Sequence, residues 1–351
     1  MKQLLLVAVF TVTRLFSYAQ GSEQVERLVQ EGIALHDKGD YDGAIQKYDA
    51  ALKIDKKSFD ANYEKAYSLF AAGKKKECAS ISKDMIKDFP DHPGLNMVYI
   101  QYGSALDDIG KSKDALDVYD EGMTKFPNEY LLPFNKGLTL HKLNRYDEAL
   151  LLYQQSATMK PYHSSSNYYI GMLQERTNRI PAMLAYATFM AIEPQTKRSE
   201  DAFRGIQQII GGNVKKDGDK TVITLDVSMF DKAKKGGGEN DFSAVDMIFS
   251  LLGATDNNKS MDSIAKTPAD KMSFKLQMLI NSLSTNQEKG TGFYWKHYVP
   301  FFIAMKENNH VGTLAHLMYL QSKDEENQKW LDDNDAKVEQ FYDWMKSYKW
   351  N

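Results

Sequence analysis

The chain carries one cysteine, Cys78, in 351 residues, so no internal disulfide can staple it and its stability has to come from packing. Neither sign of charge dominates: 44 Lys and Arg stand against 47 Asp and Glu, a formal net charge of −3. The two signs are interspersed, and the basic stripe that exchanges counterions with phosphates is missing, which excludes nucleic acid from the expected partners. Long apolar runs are also lacking. The run Leu4–Val12 falls far below the roughly 20 residues a spanning helix needs, so no membrane span is expected.

The residue patterns of catalysis are equally scarce. Gly253 through Lys259-Ser260 has the length of a phosphate-binding loop. Asn258 replaces its second glycine, however, and a helical-looking run, Val245–Leu252, precedes it where a strand is required. Ser80 and Lys83 have Ser-x-x-Lys spacing without companion motifs. His310 and His316 are six apart, on different helix faces, which does not suit a zinc site. No Gly-x-Ser-x-Gly, Cys/His or paired-carboxylate arrangement stands out. The expectation is no catalytic residue, no metal ligand and no cofactor.

Proline is sparse too, at 9, whereas 20 Tyr and 17 Phe are present, a balance that favours packed helices over disorder. At the N-terminus, Lys2 precedes the Leu4–Val12 run, and Ser17-Tyr18-Ala19 puts small residues three before and one before Gln20. That pattern reads as a signal peptide over residues 1–19, with Arg14 an intrusion near the end of its apolar part. Cleavage ahead of Gln20 leaves no cysteine for a lipid anchor, so the expectation is an exported protein, periplasmic or extracellular.

The strongest signal is a repeat. Small residues recur at Gly32, Ala66, Gly103, Gly137 and Gly171, spaced by 34, 37, 34 and 34. Twelve residues after each stand Ala44, Cys78, Ala115, Ala149 and Met183, and seven after each stand Gly39, Gly73, Gly110, Asn144 and Asn178. Small side chains on both helices of a hairpin let the axes approach. Gly or Asn between them suits a left-handed residue ending the first helix. Tyr48, Tyr119 and Tyr153 continue the second helix's face, and Pro90, Pro127 and Pro161 stop that helix, with Lys56 at the matching place in the first repeat.

These columns resemble the tetratricopeptide repeat family. The match is strongest in Val25–Ser58, with Gly32, Leu35, Gly39-Asp40-Tyr41, Ala44-Ile45, Tyr48 and Ala51-Leu52, and nearly as good in Tyr130–His163. Cys78 and Ser82 make the second repeat degenerate, Met183 and Ala187 mark the fifth, and three extra residues lie near His92–Leu95. The resemblance implies a solenoid whose first helices line a groove that takes a protein or peptide partner. Mapped onto this chain, the groove residues are Val29, Ile33, His36 and Asp37; Tyr63, Tyr67, Phe70 and Ala71; Ile100, Ser104, Asp107 and Asp108; Phe134, Leu138, His141 and Lys142; and Tyr168, Met172, Glu175 and Arg176. Val29 and Ile33 stand where the Lys/Asn clamp for a terminal carboxylate would begin, which sets that version aside. Apolar stripes at this spacing also suit core packing, including packing against the chain's own second half.

The fold expected is therefore all-α for the most part: an α-solenoid of about five helical hairpins with a capping helix over 25–212, a β-hairpin and linker over 213–241, and a helical C-terminal domain over 242–351. Asp217-Gly218 between Val214 and Thr221–Val227 is the turn signal of the β-hairpin, and Gly236-Gly237-Gly238 marks the linker. Met272, Leu276, Leu279, Ile280 and Leu283 fall on one face behind the helix start Thr267-Pro268. Val338, Phe341, Tyr342 and Met345 make another stripe. The aromatic run Gly292–Met305 reads as core or a docking surface. The expected role is a non-enzymatic interaction module or scaffold of the cell envelope. Two alternatives stay open: a divergent enzyme in the second half with the repeats recruiting its substrate, or a second half that fills the groove and leaves a structural role or a homo-oligomer.

Overall fold

The computed structural model describes residues 21–211, 214–217, 220–223, 239–252 and 265–350. The signal-peptide reading of 1–19, the three linker glycines and the rejected phosphate loop lie outside the described residues. The chain forms two compact units that divide between Leu152 and Tyr153.

Five helical hairpins follow one another: α1 (21–36) with α2 (Tyr41–Ile54), α3 (Phe59–Ala71) with α4 (Lys75–Asp88), α5 (Leu95–Asp108) with α6 (Ser112–Lys125), α7 (Leu131–Lys142) with α8 (Tyr146–Met159), and α9 (Ser164–Gln174) with α10 (Arg179–Ile192). The unit boundary falls inside α8. The punctuation is local. Asp40 and Ser58 cap α2 and α3 by accepting from the amides of Gly43 and Ala61, which relieves unpaired donors at each helix start. Pro90, Pro127, Pro161 and Pro194 each stand two residues past the end of a second helix. Gly39, Gly73, Gly110 and Asn144 take φ of 80°, 78°, 80° and 60°, the left-handed turn their column predicts. Asn178 departs from it: at φ −151° it is an extended residue preceding α10.

The column of small residues has a more specific cause than close helix axes. A Cβ placed on Gly32 would lie 2.4 Å from the Tyr48 ring, and one on Gly103 would lie 2.5 Å from that of Tyr119. Each glycine is the seat of a tyrosine sixteen residues on, in its own hairpin. In the second hairpin the ring is missing, Ser82 standing in its place, and the seat is Ala66. In the fifth, Ala187 occupies the ring's place and Tyr186 supplies the ring instead, 2.5 Å from a Cβ on Gly171. Polar pairs repeat in the same register. Lys65 Nζ reaches Asp49 Oδ1 at 2.6 Å, Lys136 pairs with Asp120 in the equivalent place, and Lys47 binds Glu31 at 2.6 Å. Surface pairs of this kind contribute about 0–1 kcal/mol each, so the buried rings and alanines carry the hairpins.

In the second unit, α9 and α10 continue into α11 (Lys197–Gly211), and a two-stranded antiparallel sheet follows, β1 (Val214–Asp217) with β2 (Lys220–Ile223). The helices after it are α12 (Ser243–Leu252), α13 (Pro268–Asn286), α14 (Phe293–Glu307), α15 (Val311–Met318), α16 (Glu325–Asp333) and α17 (Asp335–Ser347). Thr267 and Asp270 close a capping box on α13. Helices α11, α12, α14 and α15 all pack on α10. As a result every residue of α10 from Ile180 to Ala191 is buried. The aromatic run lies on α14, and Tyr294, Trp295, Tyr298, Phe301 and Phe302 are core. Within the second unit, polar groups tie α14 and α17 to the end of α8, the turn after it and α9: Tyr298 Oη donates to Asn167 Oδ1 at 2.7 Å, Gln154 donates to Tyr294 Oη at 2.9 Å, and Tyr162 Oη donates to the Met345 carbonyl at 2.5 Å. Arg179 at the start of α10 pairs with Asp246 on α12.

Candidate functional site: an aromatic ladder on the second hairpin

Phe59, Tyr63 and Tyr67 stand one helical turn apart along α3 and so project from one face. Their rings are nearly parallel, at interplanar angles of 5° and 4° with centroids 6.4 Å apart at both steps. Each end of the row is closed by a histidine. His36, at the end of α1, stacks on Tyr67 at 4.8 Å and shares a 2.7 Å hydrogen bond through Nδ1 with Ser68 Oγ. His92 stacks on Phe59 at 3.5 Å, and its Nδ1 accepts from the Gly94 amide at 3.1 Å. This longer inter-repeat turn places an imidazole over the first ring. The inner edges of Phe59 and Tyr63 rest on the core formed by Leu69, Cys78 and Leu95, while Tyr67 is 47% exposed.

The surroundings of the ladder are acidic. Asp60 and Glu64 run beside it on α3, and Asp37 directly follows His36. Burial raises the Glu64 carboxyl above the ordinary range, and the neighbouring charges of Asp60 and Asp37 push the same way. Burial, together with Glu64 and Tyr67, also pushes the Tyr63 phenol up to about 12.

Of the residues expected to line the groove, the structure brings His36, Tyr63 and Tyr67 together in this ladder. Phe70 lies beside it with the Lys75 ammonium 2.9 Å from its ring centroid, and Lys75 also reaches Asp108 at 3.2 Å. Asp107 accepts from Ser112 Oγ at 2.5 Å and pairs with Lys142 at 3.3 Å, so its charge is spent within the first unit. Ile33, Ile100, Leu138 and His141 are half-buried, and burial lowers the His141 pKa. Val29 and Phe134 require correction as groove residues. Val29 is 5% exposed among Val25, Tyr48 and Ala61, and Phe134 is 9% exposed, so both are core of their hairpins. Tyr168 belongs to the second unit, packed on Phe189 at 5.2 Å with the Arg198 guanidinium 5.6 Å from its ring; Met172 is half-buried and Arg176 exposed.

The sequence reading missed Phe59 and His92. Phe59 had a signal, being four residues ahead of Tyr63 on the same face; His92 had none, because its contact is made across a turn. In the second half, the aromatic side chains and histidines from Tyr294 to His316 are mostly packed. His297 stacks on Phe293 at 4.9 Å with burial holding its pKa down at about 4, and His316 stacks on Trp330 at 3.6 Å while its Nδ1 lies 2.7 Å from Asn327 Oδ1. Among the described residues no group of three or more His, Cys, Asp or Glu is placed to hold a metal, and no helix is long and apolar enough to cross a membrane.

Two family models match the chain, one described as TPR repeat over residues 32–73 and one as tetratricopeptide repeat over residues 103–164. No curated protein matches it. Among solved structures, a thermophilic TPR protein of Thermus thermophilus is 20% identical, with 52% of this chain and 98% of that one covered at a TM-score of 0.44. YrrB, described as a TPR protein with an unusual peptide-binding site, is 18% identical over 52% of this chain and 97% of its own, at 0.39. PilF of Pseudomonas aeruginosa is 14% identical over 74% and 99%, at 0.48. Both matched stretches fall on hairpins whose turns and glycine-seated tyrosines keep the family's register. The two family models thus identify tetratricopeptide repeats over residues 32–73 and 103–164, and arrays of such hairpins act as protein-interaction scaffolds.

Proposed function

We propose that the protein is a non-enzymatic scaffold of the cell envelope and that the ladder on α3 is where it grips an extended segment of a partner protein. The observation that carries this reading is the Tyr67 ring, 47% exposed at the end of a row of rings already locked in place. Aromatic side chains held rigid before binding contribute contact area at little entropic cost, which is how a few residues come to dominate an interface. The envelope assignment rests on the N-terminal pattern of Lys2, the Leu4–Val12 run and Ser17-Tyr18-Ala19.

A photo-crosslinking amino acid at position 67 of the full chain tests the grip in producing cells. A discrete crosslinked partner is expected, absent when the same group replaces exposed Tyr146. Equal, diffuse labelling from both positions would defeat the reading. For export, N-terminal sequencing of the protein from the envelope fraction should begin at Gln20, and a chain retaining Met1 would remove that part of the proposal.

A further inference from the structure

Several acidic side chains of the first unit are matched by lysines. Asp42 pairs with Lys74 at 2.7 Å, Asp49 with Lys65, Asp107 with Lys142, Asp108 with Lys75 and Asp120 with Lys136. The three beside the ladder differ. Among the described residues, neither Asp37, Asp60 nor Glu64 forms an ion pair or side-chain hydrogen bond, and the nearest lysine on α3, Lys65, is held by Asp49. Glu64 is half-buried, so its charge is partly stripped of water with no cation to replace it. Unmatched carboxylates beside an exposed tyrosine ring have a natural complement. A guanidinium is planar, stacks on aromatic faces and offers a fork of donors to carboxylates, whereas an ammonium satisfies only the charge.

We infer that the face formed by Tyr63, Tyr67, Glu64, Asp60 and Asp37 recognises arginine side chains on an extended segment of a partner polypeptide. The inference rests on the docking reading of the ladder and adds the chemistry of what docks. The arginine side chain lies against the exposed edge of the Tyr67 ring, whose faces turn to His36 and Tyr63, and its N–H groups donate to the Glu64 and Asp60 carboxylates. This polarity is opposite to that of a clamp for terminal carboxylates.

Titration calorimetry on the full mature chain at low ionic strength decides it, using an acetylated, amidated Gly-Arg-Gly-Arg-Gly peptide and its citrulline and lysine counterparts. The arginine peptide should bind, the citrulline peptide about tenfold more weakly because it keeps the shape and loses the charge, and the lysine peptide at an intermediate level. Glu64→Gln and Tyr67→Ala should each weaken the arginine peptide about five- to tenfold, with helical circular dichroism unchanged, and Tyr146→Ala should leave it unaltered. Rising salt should weaken it further. No binding of the arginine peptide, equal binding of arginine and citrulline, lysine binding as tightly as arginine, or binding that survives both variants would each overturn the inference. If the position-67 crosslink persists in cells while the peptide fails, the arginine assignment falls alone. If the crosslink is lost while the peptide binds, the docking reading falls alone.

Discussion

Helices α2 and α10 hold the same station in their repeats, the second helix of a hairpin, yet they bury very different surfaces. Helix α2 buries Ala44, Tyr48 and Ala51, one stripe, and keeps Asp42, Lys47, Asp49 and Lys53 on its other sides. Helix α10 buries twelve consecutive residues and has one charged side chain, Arg179, at its start. The repeat register therefore decides where small residues and rings must lie. The charge content of the remaining positions decides whether a helix stays at a surface or becomes the axis of a larger core. In the first unit the hairpins keep charged and polar residues on their other sides, and α3 carries the aromatic ladder. In the second unit the fifth hairpin has been absorbed by α11, α12, α14 and α15, and its station serves packing.

The comparison breaks most readily at Phe189, fully buried in α10. Phe189→Ala should cost about 3–5 kcal/mol, as truncation of a buried aromatic usually does, whereas Gln46→Ala on the open side of α2 should stay within about 0.5 kcal/mol. Urea unfolding followed by amide exchange in each unit measures both, and a loss below about 1 kcal/mol at Phe189 would show that α10 is not the axis described.

Acid comes next. Burial holds the imidazole of His297 down at about 4, whereas an unfolded histidine protonates near about 6.5. Because its folded pKa is depressed, the stability it contributes is fully present above about 6.5 and is lost as pH falls towards 4, on the order of 3 kcal/mol in all. His163, also in the second unit, is likewise held at about 4, chiefly by burial and then by Arg198 and Lys160. In the first unit Glu64 acts with the opposite sign. Its folded pKa is raised, so its contribution is present at low pH and is lost as pH rises through that value. Lowering the pH from 7 to 4.5 should therefore loosen amide protection in the second unit before the first, and His297→Phe should reduce that loss. Glu64→Gln should stabilise the first unit at pH 7 and not at pH 4. Equal loosening of the two units would contradict this division.

The smallest effect sharpens the comparison within the first unit. Gly103→Ala puts a methyl 2.5 Å from the Tyr119 ring and should cost about 1–3 kcal/mol. In a Tyr119→Ser background the same change should be nearly neutral, mirroring the natural pairing of Ala66 with Ser82. A double-mutant cycle showing no coupling would remove the ring's seat as the reason for the column.

Most of the fold was legible because its determinants are local and periodic. The columns at Gly32, Gly39 and Ala44 each answer to a backbone angle or a helix contact that recurs from repeat to repeat, Asn178 being the departure. The α13 start at Thr267-Pro268 and the turn at Asp217 were readable for the same reason. The candidate site was only partly legible. Helical periodicity names the face of a side chain but not what covers that face, so Val29 and Phe134 passed as groove residues although neighbouring helices bury them. The coverage of α10 did have a signal, a helix without charge on any side after Arg179, and a helix apolar all round belongs inside. The contact of His92 with Phe59 depends on the path of a turn, and no spacing rule encodes that path.

Tyr48 and Tyr119 each lie sixteen residues from their own glycine, so ring and seat are encoded within one stretch of gene. Duplicating or excising such a stretch would move the two together and change the row by a whole unit without orphaning either. The second hairpin, with Ala66 and Ser82 at the two positions, illustrates the other side of this arrangement: one unit can do without the tyrosine while its neighbours keep theirs.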